Sequence, residues 1–365
     1  MPKMKKLQPL HKFLTFTFLC SFQILISQIP NGYYDTAVNH SGTNLKSKLN
    51  QIIDNHIEFP YTASETDVWD ILKETDKDPN NPDNVILIYS GVSMDGNDRF
   101  NPFNTNGWIR EHVWAKSRGD FGTEIGPGTD VHALRPLDIV TNVSRNNRAF
   151  NNCTNCEIVE DQSGNDTGSK RDTNEYSFEP RDAVKGDVAR MLFYMAVRYE
   201  GLDGYVDLEL TETVLPLGDN TPFLGVQSTL LQWHRDDPVD DFERNRNDVI
   251  YYSFQQNRNP FIDHPELAEY LWGNNLGEVW GNTLSTTEFE KNTIHLYPNP
   301  ARDVLTVEGL TTDATIYIYD TLGKNILSFS ANKEQNTINL SMLKGMYILK
   351  ITTNDYTITK KIVIK

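Results

Sequence analysis

In "GTNLKSKLNQIIDNH" the apolar residues Leu45, Leu49, Ile52 and Ile53 fall on one face of a helix. "SETDVWDILKETD" predicts a second, shorter helix, with Ser64 or Thr66 as its cap and Glu65 and Asp67 in or near the first turn. "PNNPDNVILIYSG" predicts a loop and then a buried strand from Val85 to Tyr89. The longest helical pattern lies in "RDAVKGDVARMLFYMAVRYEG". There Val184, Val188, Met191, Leu192, Met195, Ala196 and Tyr199 repeat at helical spacing, and Gly201 supplies a stop. Another helix is predicted in "DPVDDFERNRNDVIYYSFQQNRNP", with Pro238 near its start and Pro260 past its end. The Met and aromatic residues of these helices are expected to be core.

Near residue 283 the pattern changes. "TLSTTEFEKN" is a polar linker. "HLYPNPARDVLTVEGL", "ATIYIYDTLGKNI" and "TINLSMLKGMYILKITTNDYTITKKIVIK" then alternate apolar and polar residues between turns. They predict a small antiparallel β-sandwich of about 75 residues. At the other end, "MPKMKK" precedes an apolar run from Phe13 to Ile26. The run is short and interrupted by Thr and Ser. It predicts a secretory signal peptide over residues 1–27, cleaved near Ser27–Gln28, and no later segment is expected to span a membrane.

Charge narrows the functional classes. The chain of 365 residues carries a net charge of −16. Residues 1–27 hold four Lys and no acid, and residues 291–365 hold nine basic and six acidic side chains, which leaves about −23 for residues 28–290. So acidic a region argues against broad electrostatic binding of nucleic acid, and any polyanion site in it needs a local basic patch or a metal cation. Outside the signal peptide only Cys153 and Cys156 remain, in "NNCTNC". A zinc ribbon needs a second pair, so in an exported protein a local disulfide is expected.

One stretch concentrates chemistry. "GWIREHVWAKSRGD" places Glu111 beside His112 among apolar residues, where burying an unpaired carboxylate would be costly. About twenty residues on, "TDVHALRPLDIVTNVSRNNRAF" adds His132, Arg135, Arg145, Arg148 and a cluster of Asn. From Arg110 to Arg148 six basic residues face five acidic ones, close to neutral within an acidic region. Hydrolysis of a phosphodiester needs a base for water and compensation of charge on phosphate, and an imidazole, a hard oxygen ligand for Mg²⁺ and Arg supply these.

"REHVW", "DVHALRP" and "TNVSRNNRAF" resemble the endonuclease I family of periplasmic and secreted bacterial nucleases. "EPRDAVKGDVARMLFYMAVRYEG" and "LLQWHRDDPVDDFERNRNDVIYYSFQQNRNPFIDHPEL" extend the likeness to about residues 40–275. It implies an α+β fold: a mainly helical nuclease domain, residues 28–282, built around a ββα-metal finger. The finger would comprise a strand through His112, a returning strand around Ala133–Leu137 and a helix beginning near Asn142. Glu111 and Asn142 match the metal ligands and His112 the general base. Asn146 and Asn147 are the alternatives to Asn142. Mg²⁺ is the implied ion, with Ca²⁺ or Mn²⁺ as substitutes. The loop "AKSRGDFGTEIGPG" does not match the loop that supplies a phosphate-facing Arg in some members. Arg118, Arg135, Arg145 and Arg148 are therefore rival phosphate contacts. His132 is expected to hold the two finger strands together, and His234 and His264 to be structural or groove-lining.

"YPNPARDVLTV", "LKGMYILKI" and "KKIVIK" resemble the type A sorting domain of the type IX secretion system. That likeness places a linker at 283–292 and a sorting domain at 293–365, and implies export across the outer membrane, with release or surface attachment. Together the resemblances imply a secreted, metal-dependent, sequence-nonspecific endonuclease that cuts DNA, with RNA as the alternative substrate, to 5′-phosphate ends; a monomer is expected. The rivals are an inactive surface adhesin on the same fold and a carboxylate-pair glycosidase, for which no specific pair stands out.

Overall fold

The computed structural model describes residues 29–281 and 294–365, except 311–312, 321–322, 333–335 and 354–356. The expected signal peptide and the linker at 283–292 lie outside these residues. The chain divides into two compact units, the first ending at Trp280 and the second beginning at Gly281. Helices and strands are both abundant, an α+β fold.

The first unit opens with α1 (Gly42–Ile53), whose Leu45, Leu49 and Ile53 are fully buried. Helix α2 (Val68–Thr75) is capped one residue after Thr66 and three after Ser64, the two caps expected. Its cap is Asp67, whose carboxylate accepts from Trp69 and Asp70 N–H while Asp70 reaches back. Asp67 caps in place of Thr66 because an acid, Asp70, lies three positions on and completes a reciprocal box that satisfies two end donors together. Strands β1 (Lys77–Asp78), β2 (Asn81–Ile86) and β3 (Ser93–Asp95) form a small antiparallel sheet. The strand expected over Val85–Tyr89 ends at Ile86. Leu87, Ile88 and Tyr89 are buried but lie outside the strand. Apolar runs of this length report burial, not backbone shape.

Strands β4 (Ile109–His112) and β5 (Leu134–Leu137) pair antiparallel, Glu111 opposite Arg135 and His112 opposite Leu134. Helix α3 (Ile139–Arg145) follows at once. It begins three residues before Asn142, because Asp138 caps it by accepting from Thr141 N–H and Thr141 hydroxyl. Two apolar cores grip the pair of strands. Val113, Trp114 and Leu137 enter the larger one, and Trp108, Val131 and Leu134 the smaller.

Strands β6 (Ala149–Phe150), β7 (Cys156–Glu160), β8 (Asp166–Asp172) and β9 (Ser177–Glu179) make a sheet in the order β6-β9-β8-β7. Cys153 and Cys156 are joined as a disulfide where β7 begins. The unit is completed by α4 (Lys185–Arg198), the pair β10 (Glu209–Thr211) and β11 (Phe223–Val226), α5 (Gln227–Asp236), α6 (Asp241–Val249), α7 (Pro260–Asp263) and α8 (Leu267–Leu271). Helix α4 is buried on all sides, its Met191, Phe193, Tyr194 and Met195 in the core as expected. Helix α6 runs on into a π-helical turn, Ile250–Phe254. No helix among the described residues is long and apolar enough to cross a membrane.

The second unit holds β12 (His295–Tyr297), β13 (Val304–Glu308), β14 (Ala314–Tyr319), β15 (Asn325–Ala331), β16 (Asn336–Asn339), β17 (Gly345–Thr352) and β18 (Thr357–Ile364). They form two antiparallel sheets, β12-β13-β16 and β15-β14-β17-β18. Leu305 and Ile338 from the first and Ile316, Ile318, Leu349, Ile351 and Ile362 from the second share one core, a sandwich.

Candidate active site

Glu111 and His112 are both buried, 3 % and 8 % exposed, and each has its own partners. Oε1 of Glu111 accepts from the Tyr89 hydroxyl at 2.9 Å and lies 3.3 Å from Arg145 Nε. Oε2 has no protein partner among the described residues. Burial pushes the carboxyl up from its ordinary range, against the pull of the Arg145 charge and the Tyr89 hydroxyl. Tyr89 reaches it because the Ile88 N–H donates to the Pro136 carbonyl at 2.9 Å, which ties the 88–90 turn to β5.

His112 is oriented from two sides. Its Nε2 donates to the Gly128 carbonyl at 2.9 Å, and its ring stacks on Tyr61 at 5.5 Å between centroids. A carbonyl only accepts, so Nε2 carries the proton and Nδ1 keeps its lone pair. Nδ1 has no protein partner among the described residues. Burial pushes the imidazole down to about 4, and although the Gly128 carbonyl opposes this, the charges of Lys116, Arg110 and Arg145 add to it. The ring is therefore neutral near pH 7. Gly128 could not be another residue without a shift, since a Cβ there would lie 2.5 Å from the Gly122 carbonyl oxygen.

A cleft of 250 Å³ gathers Glu111, His112, Asn142, Asn146 and Asn147 with Tyr61, Arg110, Lys116, Ser117 and Arg145. The Asn142 side chain has no protein partner among the described residues. Asn146 spends its Oδ1 on the Asn147 N–H at 2.8 Å, and its φ of 50° ends α3. Asn147 donates to Ser117 Oγ at 2.9 Å and leaves its Oδ1 buried without a partner. The residues lining this cleft thus leave one carboxylate oxygen, one amide and one unprotonated ring nitrogen unspent on the protein among the described residues. Hard oxygen donors of this kind suit a divalent cation such as Mg²⁺.

The Endonuclease I family model matches residues 41–266, and a family model for a secretion system C-terminal sorting domain matches residues 295–365. The chain belongs to the endonuclease I family. It is 52 % identical over 243 residues to an extracellular ribonuclease of Bacillus subtilis (strain 168) and 50 % identical over 243 residues to one of Bacillus amyloliquefaciens. Each alignment covers 66 % of this chain and 78 % of the relative. Among solved structures, one described as PorZ, a surface component of the type IX secretion system of Porphyromonas gingivalis, aligns at a TM-score of 0.19. It is 18 % identical over 22 % of this chain and 12 % of that one, too little to carry an argument. The protein is thus a secreted nuclease of the endonuclease I family with a C-terminal sorting domain, and nucleases of this family generally depend on a divalent metal.

The four arginines expected at the phosphate are placed elsewhere or already engaged. Arg118 is fully buried and donates to the carbonyls of Asn147, Leu215, Pro216 and Asp219. Arg135 is buried between Asp76 and Asp187 and pairs with both, so it fastens β5 to α4 and to the residue that follows α2. Arg148 packs over the Tyr176 ring at 4.4 Å and donates to the Ser144 carbonyl, outside the cleft. Arg145 alone lines the cleft, and its guanidinium is spent on Glu111 and on the carbonyls of His112, Val113 and Asn146. His132 does not bridge the two strands. It bonds the Asn257 carbonyl at 3.2 Å and packs 4.5 Å from the Tyr194 ring, which anchors the start of β5 to α4. His234, bonded to the Pro265 carbonyl, and His264, beside Glu266, both lie outside the cleft.

Tyr89, Gly128 and Tyr61 were not visible as site residues in the sequence. Gly128 contributes only a carbonyl, and no motif joins Tyr89 or Tyr61 to the Glu-His pair. Among the described residues one group of three carboxylates lies close enough to share a cation: Glu200, Asp207 and Glu209. Lys46 already pairs with Glu200 and Glu209, and the group is not part of the cleft.

Proposed function

We propose that this chain is a divalent-metal-dependent, sequence-nonspecific endonuclease that hydrolyses phosphodiester bonds of both RNA and DNA to 5′-phosphate ends. The observation that carries this is the convergence of Glu111 Oε2, His112 Nδ1 and the Asn142 amide on one cleft. In this reading β4, β5 and α3 form the family's ββα-metal finger. Glu111 and Asn142 would hold the cation, Mg²⁺ first among candidates, and when bound it supplies Lewis-acid stabilisation of charge on phosphate oxygens. His112 Nδ1 takes a proton from the attacking water as the water oxygen bonds to phosphorus. The bond from phosphorus to O3′ breaks, and that oxygen takes a proton from solvent. Gly128 and Tyr61 hold the imidazole at the required angle, and Arg145 and Tyr89 fix the carboxylate so that only Oε2 is offered.

The nucleophile comes from water, so the substrate needs no 2′-hydroxyl. The names of the two Bacillus relatives support RNA, and this chemistry accommodates DNA equally. The sorting domain supports passage of the outer membrane by type IX secretion, followed by release or surface attachment. End-group analysis of cleaved RNA tests the chemistry. The expected products carry 5′-phosphate and 3′-hydroxyl ends. Products with 2′,3′-cyclic phosphate would mean attack by the 2′-hydroxyl and would sink the proposed mechanism.

A further inference from the structure

Hydrolysis of a phosphodiester builds negative charge on the phosphoryl oxygens, and a fixed cation beside them lowers the barrier. Among the described residues three cationic side chains line the cleft: Arg110, Lys116 and Arg145. Arg145 is buried and fully engaged, as described above. Arg110 is held as a slab, its guanidinium carbon 3.4 Å from the Tyr61 ring centre and 4.1 Å from that of Trp69. It also donates to the Tyr61 carbonyl and to the Thr62 hydroxyl.

Lys116 differs from both. Its side chain is exposed and takes part in no ion pair or hydrogen bond among the described residues. Its backbone, in contrast, is pinned on both sides. Its carbonyl accepts from the Phe121 N–H, and the Arg118 N–H donates to the Ala115 carbonyl at 2.7 Å. Ser117 Oγ accepts from Asn147, and the Arg118 guanidinium staples the same turn to the 215–219 segment. The turn is rigid and carries one free charge at the cleft.

We propose that Lys116 is the catalytic residue that pairs with the scissile phosphate of the bound nucleic-acid strand. This rests on the cleft being the hydrolytic site. The four arginines that the sequence offered for this role are committed to the protein itself. A Lys ammonium is a compact charge with three rotatable donors on a flexible stem. It can therefore follow the phosphoryl oxygens as the phosphorus passes from four to five oxygen neighbours. Arg118 serves the same end indirectly, as the positioning residue that holds the turn.

The test uses the full-length protein with Lys116→Ala, Lys116→Met, Lys116→Arg and, as reference, His112→Ala. Cleavage of an RNA and a DNA oligonucleotide is measured alongside calorimetric titration with Mn²⁺. Binding of a labelled single-stranded oligonucleotide is followed in chelator across a range of salt. Lys116→Ala and Lys116→Met should lower kcat by about 100-fold and leave the Mn²⁺ isotherm unchanged. The salt slope of strand binding should fall by about 0.7, and Lys116→Arg should recover most of the activity. Activity of Lys116→Ala within twofold of the parent, with His112→Ala inactive, would remove Lys116 and leave the cleft assignment standing. A weakened Mn²⁺ isotherm in all three Lys116 variants would reassign the residue to a structural role. Normal cleavage by His112→Ala would overturn the assignment of the cleft, and with it this one.

Discussion

Glu111 and His112 are neighbours in sequence, yet each is held by a different part of the fold. Tyr89 and Arg145 take one oxygen of the carboxylate, and Gly128 and Tyr61 take one nitrogen and one face of the imidazole. The pair itself was legible in the sequence, because two ionisable groups among apolar neighbours demand partners. The partners were not, since a backbone carbonyl has no signature and Tyr89 lies 22 residues away from Glu111. Arg was named for the phosphate on the fork geometry of its guanidinium, and burial was not legible at this scale: Arg118, Arg135 and Arg145 are each at most 2 % exposed. Gly128 offers a test at one atom. Gly128→Ala must displace its carbonyl, since the new Cβ would lie 2.5 Å from the Gly122 oxygen. Cleavage should fall by about tenfold or more, as a misplaced base typically costs one to two orders of magnitude, while Mn²⁺ binding measured by calorimetry is unchanged. An unaltered rate would show that the carbonyl does not orient the base.

Helix α3 and the residues before β5 show how secondary elements serve the site. Asp138 caps α3 and sets the turn from which Asn142 opens on the cleft. Asp138→Ala should cost about 1 kcal/mol of stability and weaken metal binding through Asn142, both readable by thermal unfolding with and without Mn²⁺. A loss of stability with an unchanged metal response would separate the cap from the site. The start of α3 was misjudged in sequence because Asp138 reads equally as a loop residue. His132 anchors the start of β5, and burial pushes its imidazole down to about 4 despite the opposing charge of Asp130. In the unfolded chain it titrates near its ordinary 6.5. Between these values the unfolded state binds the extra proton, so stability is lost as pH falls below about 6.5. His132→Gln, compared with the parent from pH 7 to pH 5, should remove on the order of 2 kcal/mol of that pH dependence. Identical pH profiles by chemical denaturation would mean that His132 is not held neutral.

At the scale of the molecule, the change from helical spacing to alternating strands was the most legible pattern. The alternating strands after residue 293 need no partner outside their own sandwich, and their core residues recur every second position. Within the first unit the helices announced themselves by their spacing. The buried ion pairs that lock Arg135 to Asp76 and Asp187, and Arg190 to Glu243, are long-range and left no local pattern. Because the cleft residues all fall between Tyr61 and Asn147, truncation after Gly281 should leave cleavage intact. The same truncation in the native host should keep activity out of the medium and off the cell surface. Equal activity in the medium from both forms, without lysis, would contradict the role given to the sorting domain. The central claim is that Glu111 and Asn142 hold a cation while His112 acts only on the proton. Calorimetric Mn²⁺ titration of Glu111→Gln, Asn142→Ala and His112→Ala, each set beside its cleavage rate, tests it most directly. The first two should lose metal affinity. His112→Ala should bind metal like the parent yet cleave about 10² to 10⁴ times more slowly. Parental metal binding by Asn142→Ala, or weakened binding by His112→Ala, would contradict the division of roles.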